Sequence, residues 1–265
     1  MRSSALVLFA LLAACASADR PGGGNAPAAG PRPAPSERSE TLRGFWVLYL
    51  SDDPAWPAAK GQWLAMGRGE AWILVENLLA SIVRSSDRGD ARSLARARSE
   101  LASMPDVSVP YLVEALDRGD NVTRRHVADV LVAMGQASSA ALVERLGSYG
   151  LEARVAALSA LGSIGDPTSV PALFAAATGD AEWSARAEAA EALAAFLPSP
   201  EAERALARVL GRDADAFVRR KAAEGLARGS SDESAAALKT ALDDADAAVR
   251  ARASDSLASR RSRRP

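Results

Sequence analysis

Histidine and cysteine are almost missing from this chain, with one of each in 265 residues. A single cysteine forbids any internal disulfide, and no Cys/His cluster exists to hold zinc. There is no Gly-x-Ser-x-Gly elbow and no phosphate-binding glycine loop; Gly22-Gly23-Gly24 falls in a proline-rich stretch. No apolar run approaches the roughly twenty residues needed to span a bilayer. Aromatic residues make up only 5% of the chain. The formal net charge is −1, unevenly spread: residues 105–259 hold 16 basic and 23 acidic side chains, while Arg260–Pro265 carries four arginines. An acidic body argues against a nucleic-acid partner, because neutralising phosphates needs a basic face. These gaps lead us to expect no metal, no cofactor and no enzyme.

Alanine dominates the 48% of residues that are hydrophobic, a composition that suits closely packed helices and poorly suits sheet. One pattern recurs five times. An arginine is followed three residues on by a small or β-branched residue and four after that by leucine. The sets are Arg124/Val127/Leu131, Arg154/Ala157/Leu161, Arg186/Ala189/Leu193, Arg219/Ala222/Leu226 and Arg250/Ala253/Leu257. A period of about 31 residues marks a stacked-repeat architecture. Each arginine is preceded by a helix with leucines four apart, as in Leu112/Leu116, Leu142/Leu146, Leu206/Leu210 and Leu238/Leu242; the third repeat has Leu173 and Ala177. Leu94, Ala97 and Leu101 sit 30 residues before the first set and mark a degenerate repeat without the arginine.

The start of the chain carries a different signal. Arg2 precedes an unbroken apolar run from Ala5 to Ala14, and Leu12-Ala13-Ala14-Cys15 resembles the lipobox of bacterial lipoproteins. That resemblance implies cleavage before Cys15, acylation of Cys15, and an envelope location. With Ala16 next, it implies the outer membrane, facing the periplasm. Residues 1–14 are then the signal peptide. Residues 15–44 form a Pro/Gly/Ala-rich linker with no hydrophobic period and a mean reach on the order of 30 Å. Residues 45–104 follow as an aromatic-rich cap plus the degenerate repeat. Trp46, Trp56, Trp63 and Trp72 crowd into this segment, with Trp183 the one outlier. They read either as cover for the open end of an array or as a partner-binding patch.

Asp215-Ala216-Phe217-Val218-Arg219-Arg220-Lys221-Ala222 and Asp246-Ala247-Ala248-Val249-Arg250-Ala251-Arg252-Ala253 resemble HEAT repeats, specifically the short repeats named after phycobilin lyases. Gly162-Ser163-Ile164-Gly165-Asp166-Pro167 with Val170-Pro171 matches that family's inter-repeat turn. The resemblance covers roughly residues 105–260 and implies an all-α, right-handed solenoid; residues 261–265 are left as a basic tail expected to fray. It is specific for fold and not for activity, since such repeats serve many roles. The resemblance implies that metal-dependent catalysis would rely on paired His-Glu motifs, which a lone His126 cannot supply.

Four of the five arginines have an acid four residues earlier: Asp120, Glu182, Asp215 and Asp246. The expectation is that this acid caps the second helix and pairs with the arginine one turn on. Functionally the chain reads as a membrane-anchored, non-catalytic scaffold binding a protein or peptide. Cys15 is the lipid site, and Trp46, Trp56, Trp63, Arg125, Arg220, Lys221 and Arg252 are candidates to meet the partner. The alternative is an envelope enzyme, or enzyme accessory, acting on glycan or lipid through the Trp-rich 45–72 segment.

Overall fold

A computed structural model describes residues 35–262, all in helices, short 3-10 turns and their connections, with no strand among them. Cys15, the leader and most of the linker lie outside the described residues, as do residues 263–265. The chain divides into two compact units, Met1–Ala71 and Trp72–Pro265.

In the first unit, α1 (Pro35–Leu50) and α2 (Trp56–Ala65) form a hairpin. Helix α1 starts well ahead of the boundary expected at residue 45. The reason is that Leu42 extends the apolar stripe of Trp46 and Tyr49 backwards by one turn, and all three are buried. Helix α2 answers with Trp56, Ala59 and Trp63, also buried. The rings interlock. Trp46 stacks on Tyr49 at 4.6 Å, Tyr49 meets Trp56 edge-on at 5.1 Å, and Trp46 meets Trp63 edge-on at 6.4 Å. The Trp63 indole donates to the Glu70 carbonyl at 2.7 Å, which satisfies its one polar atom.

The second unit begins within α3 (Arg68–Asp87) and continues through α4 (Ala91–Ala102) into five helical pairs. These are α5 (Pro105–Arg118) with α6 (Asn121–Met134), α7 (Gln136–Arg145) with α8 (Leu151–Ile164), and α9 (Val170–Gly179) with α10 (Trp183–Ala194). The last two are α11 (Pro200–Arg212) with α12 (Ala216–Leu226) and α13 (Asp232–Thr240) with α14 (Ala247–Ser262). The second helices α4, α6, α8, α10, α12 and α14 each pack on the next, and among the first helices α5 packs on α7, and α9 on α11 on α13. This is a helical solenoid. Its core is the repeated set: Leu112, Leu116, Val127, Leu131, Leu142, Ala157, Leu161, Leu173, Ala189, Leu193, Leu206, Ala222, Leu226, Leu238 and Ala253 are all inaccessible to solvent. Leu242 departs from the pattern. Helix α13 tightens into a 3-10 turn at Ala241–Asp243, which buries Ala241 and leaves Leu242 39% exposed. The C-terminal tail also starts later than expected, because α14 runs to Ser262 and Arg260 donates to the carbonyls of Leu226, Gly229 and Ser231.

The repeat arginines do not pair with the acid four residues earlier. Three of them reach into the next repeat. Arg154 grips Asp180 with Nε at 2.6 Å and Nη2 at 3.1 Å. Arg186 grips Asp213 at 2.7 and 3.1 Å, and Arg219 grips Asp244 at 2.8 Å on both arms. The free Nη1 of each turns back to carbonyls of its own turn, such as Tyr149, Asp180 and Asp213. Three of the four acids keep the capping role alone: Asp120 accepts from the Thr123 amide, Asp215 from Phe217 and Asp246 from Ala248, each at 2.8 Å, whereas the Glu182 side chain makes no cap bond. A bidentate grip on the neighbour instead satisfies the planar guanidinium fork and crosses the repeat boundary.

This arrangement makes a testable distinction. Asp215→Ala, which removes only a cap, should cost about 1 kcal/mol. Asp213→Ala strands the Arg186 guanidinium and should cost about 2 kcal/mol. Urea unfolding of the two variants checks the order; a reversed order would restore the i,i+4 pairing.

Candidate functional site

Three successive second helices build a groove of about 580 Å³ on the face of the solenoid. Helix α6 contributes Arg125, Ala128, Asp129 and Val132, helix α8 contributes Glu152, Val155, Ala156, Ser159 and Ser163, and α10 contributes Ser184 and Glu188. The spacing of three and four within each helix explains why these side chains share one face. The floor is apolar and small, whereas the charges stand at intervals along it.

Glu188 is the most perturbed group in the groove. Burial raises its carboxyl above the usual range, and the neighbouring Glu191 adds to the rise. A hydrogen bond with Ser159 and the charge of Lys221 pull the other way. The result is a carboxyl that holds its proton more readily than an exposed glutamate and can give or take one against a bound molecule. Across the groove, Asp129 is paired with Arg98 at 2.6 Å. Arg98 also donates to Nδ1 of His126 at 3.0 Å, so the ring proton sits on Nε2. His126 is buried, and that burial, followed by the charges of Arg98 and Arg125, lowers its pKa. It is a packed, neutral histidine. No group of three or more His, Cys, Asp or Glu side chains able to hold a metal occurs among the described residues.

The residues singled out from sequence are dispersed. Arg125 is exposed in the groove. Arg220 lies on α12 with its guanidinium 4.7 Å from the Phe217 ring. Lys221 is tied to Glu191 at 2.7 Å, and Arg252 is half-buried on α14. Trp46, Trp56 and Trp63 form the inside of the first hairpin, with 4%, 2% and 0% of their surface exposed, so no indole face is offered outward. Cys15 lies outside the described residues. Sequence reasoning missed Glu188 and Ser159, because one acid and one serine on different helices make no local motif. It also missed Asp180, Asp213 and Asp244, although each opens an Asp-Ala-Asp/Glu triplet six residues before a repeat arginine.

The model of the family described as HEAT repeats matches residues 109–194, 142–227 and 170–258. A phycobilisome maturation protein of Synechococcus elongatus is 32% identical over 109 residues, 41% of this chain and 52% of the relative. The chain thus spans about half the length of that curated relative. Among solved structures, the complex of CpcE and CpcF of phycocyanin lyase from Nostoc sp. PCC7120 is similar at 25% identity with a TM-score of 0.48. That match covers 56% of this chain and 97% of the other. Human deoxyhypusine hydroxylase in complex with glycerol is similar at 19% identity with a TM-score of 0.42, over 86% of this chain and 100% of the other. The relative named for phycobilisome maturation corrects the expectation that the chain is not an enzyme, because that exclusion does not hold across the similar proteins. Absent local motifs could not support that exclusion, since a solenoid spreads its functional groups over separate helices.

Proposed function

The chain belongs to the HEAT-repeat family, and from that premise we propose that it binds a protein partner along its second-helix face while tethered at the bacterial envelope through lipidated Cys15. The observation that carries this reading is the groove over α6, α8 and α10, whose apolar floor and spaced charges of both signs suit an extended polypeptide. Protein-protein assembly is also how the phycocyanin lyase neighbour is found, as a complex of two chains. The overall acidity of residues 105–259 favours a partner segment carrying basic residues, which Glu152 and Glu188 would meet.

Photo-crosslinking in the native host tests this. A photoreactive residue replacing Ala128 or Ala156 should capture the same polypeptide, and one replacing Ala175 on α9 should not. Cys15→Ser should move the protein out of the membrane fraction and reduce that capture. Equal crosslinking from α9, or none from the groove, would overturn the reading.

A further inference from the structure

The aromatic side chains that face solvent on the solenoid are not those of the tryptophan cluster. Trp183, the first residue of α10, is 48% exposed, and Phe217, the second residue of α12, is 38% exposed. Their rings meet edge-on at 5.5 Å across the repeat boundary and so form one continuous apolar surface. Single exposed apolar residues are ordinary, but two neighbouring large rings at the starts of successive second helices make a patch.

The patch has a charged neighbour with no work of its own. The Arg220 guanidinium lies over the Phe217 ring at 4.7 Å, and it makes no ion pair with any described residue. Nearby cations are already engaged: Lys221 with Glu191, Arg186 with Asp213 and Arg219 with Asp244. Asp215 caps the Phe217 amide and Asp213 is held in its ion pair, while Glu182 and Glu224 are exposed and make no ion pair with Arg220. Arg220 is therefore the cation beside the rings that no carboxylate of the described residues holds. A guanidinium resting on an aromatic face has lost part of its rotamer freedom and keeps its N–H edge outward, the geometry that takes a carboxylate two-handed.

We propose that Trp183, Phe217 and Arg220 form a docking platform for a polypeptide segment that sets a large apolar side chain next to an aspartate or glutamate. The apolar side chain covers the two rings, and the carboxylate meets Arg220. The choice of a carboxylate follows from the sign of Arg220. The choice of a large apolar anchor follows from the span of the paired rings, and tryptophan with arginine is the pairing that concentrates binding energy at protein interfaces. The inference does not depend on the groove, whose lining ends on α10 at Ser184 and Glu188.

Fluorescence anisotropy with three labelled peptides tests it on the full-length chain in detergent. One peptide carries a tryptophan flanked by aspartates, one the same tryptophan flanked by lysines, and one the aspartates around alanine. The first should bind, and the other two should bind at least tenfold more weakly. Trp183→Ala and Arg220→Gln should each weaken the first peptide about tenfold, typical of an interface hot spot. Arg220→Glu should reverse the preference toward the lysine peptide. Phe217→Ala can loosen the α10–α12 contact, so Trp183→Ala, at a more exposed site, carries the test, with thermal melting checking the fold of each variant. The proposal is overturned if the acidic tryptophan peptide fails to bind, if the lysine peptide binds equally, or if the three substitutions leave binding unchanged. It is equally overturned if sedimentation shows that the patch is occupied by a second copy of the chain.

Discussion

Replacing Glu203 with alanine should lower the unfolding free energy by about 3 kcal/mol, the cost of dismantling a buried, fully bonded charge site. Glu203 is 2% exposed on α11 and accepts hydrogen bonds from the α12–α13 connection. Oε1 takes the Ser230 amide at 2.7 Å, and Oε2 takes the Ser231 amide at 2.9 Å together with the hydroxyls of Ser231 and Ser234. Burial alone would raise this carboxyl, but the hydrogen bonds outweigh it and bring the pKa from 4.5 down to about 2. A depressed pKa means that the charged form stabilises the fold. Its contribution, on the order of 3 kcal/mol, is complete above pH 4.5 and is lost as pH falls toward 2. Asp244 has the same sign, because the hydrogen bond from Arg219 holds it below its ordinary value. Urea unfolding followed from pH 6 to pH 2 should show a steep acid limb in the native chain and a shallower one in Glu203→Ala. Identical acid limbs would mean that Glu203 is not the group being protonated. Glu203→Gln should not rescue the loss, since its amide N–H groups would face amides that also donate.

Much of this fold is legible in the sequence, and the reason is periodicity. Arg124, Arg154, Arg186, Arg219 and Arg250 fall at one register of a helical pair, and their apolar companions name the core almost residue by residue. A repeat constrains sequence at each copy, so its signal accumulates along the chain. The partner of each arginine was harder to read. An acid four residues away satisfies a rule for isolated helices, but the acid that wins is about 26 residues away, in the next turn. Sequence distance hides such a contact until the stacking is known. The Asp-Ala-Asp/Glu triplets did carry the clue, with the first acid free for the neighbour and, in the two Asp-Ala-Asp copies, the second spent on the cap.

Tryptophan crowding had the opposite outcome. Trp46, Trp56 and Trp63 stand out by composition, yet spacing of three, four and seven along α1 and α2 is also what a buried stripe looks like. Trp183 stands alone in sequence and is the exposed one. A solitary aromatic at the first residue of a helix has no neighbour on its own helix to cover it. Its companion Phe217 comes from the next repeat, 34 residues on. The groove follows the same logic. Ser159 and Glu188 come together because α8 and α10 are adjacent layers, and one residue per helix is all that each contributes.

That adjacency rests on Gly162, where the second large effect is expected. A Cβ placed on Gly162 would stand 2.8 Å from both Cα and Cβ of Ala192 on α10. No rotamer relieves a clash with backbone, so α8 and α10 must separate. In an unobstructed helix, replacing glycine with alanine should stabilise by about 1 kcal/mol through propensity. Here Gly162→Ala should instead destabilise by about 2 kcal/mol, and Gly162→Leu by about 3 kcal/mol or more, at the upper end of overpacking. The change of sign makes the measurement diagnostic, because no surface glycine would show it. Adding Ala192→Gly to Gly162→Ala should recover part of the loss and no more, since the Cβ obstacle leaves while the Cα obstacle stays. Full recovery would show that only the side chain was in the way; no recovery would show that the clash lies elsewhere. The same spreading of α8 and α10 moves Ser159 away from Glu188, so a folded Gly162→Ala protein should also titrate its groove carboxyl differently, readable by carbon-13 NMR of the glutamate side chains. A protein that keeps both its stability and that titration would place the two helices farther apart than the 2.8 Å approach allows.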